Sequence, residues 1–131
     1  MENREELLTE ILKRVQKNYM HMAEIERITK ELGDALSRND QESAQLLIRM
    51  RQDEMERADA VKQEIHMLLQ ASGDEREKLL SWLKGEDKYP AECFEEKKTL
   101  ELSTQLLQAI SRTISVDKVI NSKVAGEKSY Y

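Results

Sequence analysis

The chain has 131 residues, a net charge of −5, charged residues at 36 % and apolar ones at 39 %, with one proline and four glycines. That length fits one domain with a single core, and so few helix breakers leave little room for sheet. An acidic chain without a basic block lacks the footprint that phosphate-backbone binding requires, so nucleic acid is not an expected partner.

The first predicted element covers residues 2–38. Leu8, Ile11, Val15, Met22, Ile25, Leu32 and Leu36 recur at alternating three- and four-residue intervals, with Asn18 and Thr29 in the two intervening seam positions. This is a coiled-coil type of seam, and Leu12, Tyr19 and Ile28 widen it enough to meet more than one neighbour. Ser37-Arg38-Asn39-Asp40 interrupts the pattern. Asn39 with Glu42 has capping-box spacing, and Asp40 is an alternative N-cap.

A second helix is expected to about residue 71, with Ala44, Leu47, Ile48, Met55, Ala58, Val61, Ile65, Leu68 and Leu69 on one face. Two long helices joined by a tight link favour an antiparallel hairpin. Counting back from the turn puts Val15 level with Glu64 and Ile65, and Ile25 level with Glu54 or Met55. Arg51 and Glu54 fall where the strict heptad wants apolar groups, as a register device or a loosened stretch. Met22 and Met55 read as core, whereas Met20 and Met50 lie off the seams and read as exposed.

Ser72-Gly73-Asp74 is the second break, with Gly73 suited to a left-handed cap. A short helix over residues 74–84 carries Leu79, Leu80, Trp82 and Leu83 and stops at Gly85. After a polar linker, Pro90 is compatible with the first turn of a last helix over residues 91–121. Leu100, Leu107 and Ile114 repeat every seven there, beside Leu102, Leu106 and Ile110. The expected fold is therefore all-α: a bundle of three long helices and one short one over residues 1–121, with a flexible tail over residues 122–131. That tail ends in Tyr130 and Tyr131, two of only six aromatic residues, which suit docking into a partner's groove.

The residues argue against an enzyme. Neither histidine has the Glu-x-x-His spacing of a di-iron bundle, since Asn18 precedes His21 and Gln63 precedes His66 by three. The lone Cys93 sits among Glu92, Glu95 and Glu96, which disfavour a thiolate, and no Gly-rich phosphate loop exists. No metal or cofactor is expected. Apolar runs reach only three residues, such as Met67-Leu68-Leu69, so membrane insertion is not expected. The acidic start MENREELL is unlike a signal peptide, and with one cysteine the chain reads as cytoplasmic.

The long first helix leading into Ala35-Leu36 and Asp40 resembles the flagellar export chaperone FlgN family, as does the second helix, QESAQLLIRMRQDEMERADAVKQEI. The short Trp82 helix and the linker after it depart from that family's pattern. The resemblance implies a hairpin scaffold whose C-terminal helical region binds secretion cargo, the proteins that join flagellar hook to filament. The cargo-binding residues would then be Leu100, Leu107, Ile110, Ile114, Val119 and Ile120, with Tyr130 and Tyr131 of the tail. The alternative is a structural coiled-coil protein that self-associates through its seams, for instance as a homodimer.

Overall fold

The computed structural model describes the backbone of residues 2–128 and the side chains of residues 3–122. Among them the chain is all-α, without a strand: α1 (Glu2–Ser37), α2 (Gln41–Gln70), α3 (Arg76–Leu83) and α4 (Phe94–Lys128), with a single 3-10 turn (Gly73–Glu75) before α3.

α1 is the spine. Its 36 residues make a rod of about 54 Å, and its seam residues Leu8, Ile11, Val15, Ile25 and Leu32 are buried, as are Leu12 and Ile28 beside them. The widened stripe lets α1 hold α2 on one side and α4 on the other, while α2 and α4 scarcely meet. Asp40 is the N-cap of α2, its carboxylate accepting from Ser43 N–H (3.1 Å) and Ser43 Oγ–H (2.7 Å). Asn39 is instead the left-handed residue of the turn (φ 57°), a conformation that asparagine tolerates better than most residues. Near Val15 the hairpin register follows the count from the turn, with Arg14 Nε–H donating to Glu64 (2.9 Å), whereas Glu54, counted level with Ile25, accepts from His21 Nδ1–H, one helical turn earlier in α1 (2.8 Å).

α2 buries little, chiefly Ala44, Ala58, Val61 and Leu69. Ile48 and Met55, expected on its inner face, are exposed. Met55 faces the space that α2 and α4 leave open between them.

α4 runs parallel to α1. Arg4 pairs with Glu96, Arg112 donates twice to Glu26 (2.8 and 3.1 Å), and Ile120 packs over Gly33. Its inward face is Thr99, Leu102, Ser103, Ala109 and Thr113, which are small apart from Leu102. Thr99 and Thr113 donate their hydroxyl protons to the carbonyls of Glu95 (2.6 Å) and Ala109 (2.8 Å). A hydroxyl satisfied within its own helix can be buried without a large desolvation penalty. Small side chains then let α4 lie close to α1. The expected seam of Leu100, Leu107 and Ile114 is accordingly not the packed one: Leu107 and Ile114 are exposed.

α4 also starts later and runs further than expected. Pro90 lies in the linker, and the helix opens where Glu96 reaches back to accept from the N–H groups of Glu92 (2.8 Å) and Cys93 (3.3 Å), the reciprocal half of a capping box. It continues through Gly126 to Lys128, since one interior glycine costs only about 1 kcal/mol. Residues 122–128, expected in the tail, are thus helical in backbone.

α3 wedges between α2 and α4 at the end of the bundle that holds the N-terminus of α1. Leu79 and Trp82 are fully buried among Leu8, Ile11, Leu12, Val15, Leu69 and Leu102. Trp82 Nε1–H donates to the carbonyl of Tyr89 (3.0 Å), tying the linker back onto α3. Gly85 ends the wedge with φ 72°, and a Cβ there would stand 3.3 Å from Leu107 Cδ1, so both backbone and space favour glycine.

Candidate partner-binding groove

Because α3 ends at Leu83, the fourth position of the bundle is filled for only part of the length of α1. Beyond it lies an open groove of about 300 Å³. Asn18, Met22 and Ile25 of α1 form the floor. One wall is Met55, Ala58, Asp59 and Lys62 of α2, and the other is Leu106, Ile110, Thr113, Ile114 and Asp117 of α4. From Leu106 to Asp117 the groove follows about three turns of helix, roughly 16 Å.

The far end is closed by a bridge between the two walls. Arg51 Nη1–H donates to Asp117 (2.7 Å) and contacts Thr29 Oγ1 (3.3 Å) across the floor. The polar stretch that broke the α2 heptad is therefore cross-helix in purpose, with Arg51 tying α2 to α4 and Glu54 tying it to α1. Asp59 and Lys62 are exposed on the α2 rim, one turn apart.

Behind α4, Glu26 is held below the usual carboxylate range, first by its bidentate hydrogen bonds from Arg112 and against the opposing effect of burial. Burial would raise Glu96, but the N–H groups of Glu92 and Cys93 and the Arg4 guanidinium together hold it below the usual range. These two carboxylates fasten α4 to α1 and so fix one wall of the groove.

The expected cargo-binding residues separate. Ile110 and Ile114 line the groove. Leu107 lies just above it, against the Gly85 turn. Leu100 is half-buried against the α3 cluster, and Ile120 is half-buried near Gly33, so both serve packing within the bundle. Val119 is exposed outside the groove, and Tyr130 and Tyr131 lie outside the described residues. The floor and the α2 wall went unassigned in the sequence because Met22, Met55 and Ala58 share the spacing of core positions. Met55 is 37 % exposed. Met20 and Met50 are exposed as expected, but neither lines the groove.

Among the described residues no cluster of three or more His, Cys, Asp or Glu side chains is placed to hold a metal ion. No helix among them is long and apolar enough to cross a membrane. No protein-family model matches the chain, nor does any curated protein or solved structure.

Proposed function

We propose that this protein is a non-catalytic, cytoplasmic export chaperone that captures a helical segment of a flagellar hook-filament junction protein before secretion. The observation that carries this reading is the half-filled fourth position of the bundle. About three helical turns long, mainly apolar apart from Asn18 and the charged rim, and open to solvent, it offers an amphipathic helix the surface that a longer α3 would have covered. The half-exposed Ile114 and Met55 gain burial when such a helix seats. The resemblance to the FlgN family supplies the class of cargo, and its expected cargo-binding helix contributes one wall through Ile110 and Ile114.

Isothermal titration of a purified hook-filament junction protein, with and without its terminal helices, tests the proposal. One cargo should bind per chaperone, and removal of the helices should abolish binding. Sedimentation of the protein by itself separates the alternative: a stable homodimer that takes up no junction protein would favour self-association through the seams.

A further inference from the structure

The groove floor contains one polar side chain that faces the groove without a hydrogen-bond partner among the described residues. Asn18 is only 5 % exposed, yet its side-chain amide makes no hydrogen bond with another described residue. It lines the groove between Met22, Ala58 and Ile110. Its amide atoms still reach the water of the groove, so the cost of leaving them unpaired is incurred when an apolar occupant seals them, and at a helix-helix seam asparagine trades stability for choice of partner and register. On the rim, Asp59 and Lys62 of α2 form no ion pair within the described residues, whereas Asp117 of the opposite wall is engaged by Arg51.

Resting on the helix-capture reading, we propose that Asn18 is its specificity-determining residue. The occupant is an amphipathic helix of another chain, about three turns long, with one amide or hydroxyl side chain within its apolar stripe that pairs with Asn18. Its α2-facing flank carries a base toward Asp59 and an acid toward Lys62. The polar residue excludes uniformly apolar helices, which would seal the Asn18 amide away from water with nothing to bond.

Two stapled twelve-residue helical peptides serve as probes, each with Leu along the stripe and a Lys and a Glu on one flank. They differ only in carrying Asn or Leu at the central stripe position. By fluorescence anisotropy the wild-type protein should bind the Asn peptide about tenfold tighter than the Leu peptide. Asn18→Leu should reverse that preference and raise the melting temperature by several degrees, because it puts an apolar side chain at a seam position that is 5 % exposed. Equal binding of both peptides by the wild type would overturn the role of Asn18 and leave helix capture standing. A lowered melting temperature in Asn18→Leu, with an unchanged peptide preference, would show that Asn18 serves the fold. Binding of neither peptide by the wild type would overturn this inference and helix capture together.

Discussion

One substitution, isoleucine or valine to aspartate, has opposite consequences at two positions of the same molecule. Ile114 is 49 % exposed on the groove wall, whereas Val15 is 1 % exposed in the α3 cluster. Full burial of an aliphatic side chain is worth about 1.5–3 kcal/mol, so the half-burial of Ile114 contributes roughly 1 kcal/mol. An aspartate three residues before Asp117 adds a like-charge penalty of roughly 0.3 kcal/mol. Ile114→Asp should therefore cost about 1.5 kcal/mol, or roughly 5 °C in melting temperature, and leave the protein folded. In a complex, however, the new carboxylate faces the apolar stripe of the bound helix. An unpaired desolvated charge there should cost upwards of about 2 kcal/mol, or roughly thirtyfold in Kd. Val15→Asp places the same carboxylate in the sealed cluster. It should lose several kcal/mol out of a total stability of about 5–15, leaving the upper bundle largely unfolded. Circular dichroism melts and titration with the junction protein read both effects. Wild-type affinity in a folded Ile114→Asp protein would refute the groove as the cargo site, and a wild-type melt of Val15→Asp would refute the core.

Glu96 titrates below its ordinary value of 4.5, so its stabilising contribution is present above that pH and is lost as pH falls through the folded-state value. The melting-temperature gap between wild type and Glu96→Gln should accordingly be full at neutral pH and close below pH 4.5. Arg51→Ala removes a partly exposed bridge and should cost about 1 kcal/mol or less. Because 1 M salt shortens the screening length to about 3 Å, thermal melts of wild type and Arg51→Ala should converge there; a persistent gap would assign Arg51 a packing role instead. Deleting residues 126–131 should leave the melting temperature unchanged and weaken capture of the junction protein, which pull-down of the truncated chain measures. Equal capture would remove Tyr130 and Tyr131 from the site.

The helical class, the hairpin and the breaks were legible in the sequence because each rests on local signals. The three-four spacing from Leu8 to Leu36 requires one buried stripe whatever packs against it. Gly85 stops α3, at φ 72°, because the left-handed conformation suits glycine. The turn at Asn39 and Asp40 was legible as a break, but its division of labour was not. Both residues can cap, and only the path of the chain into α2 gives Asn39 the left-handed position and Asp40 the cap.

What the tertiary structure decided is which face of each helix is covered. On α4, hydrophobicity favoured Leu100, Leu107 and Ile114, yet the inward face is Thr99, Ser103, Ala109 and Thr113. Close approach of small side chains, and the Thr99 and Thr113 hydroxyls satisfied within the helix, prevailed over apolar area, and neither is visible in a pattern of apolar residues. The same holds for α2: Met55 and Ala58 share one predicted stripe, but Ala58 is buried and Met55 borders an open groove. The groove exists because α3 is eight residues long beside partners of 30 and 35. The sequence shows the short helix; only the packing of α2 and α4 on opposite sides of α1 turns its shortness into a space.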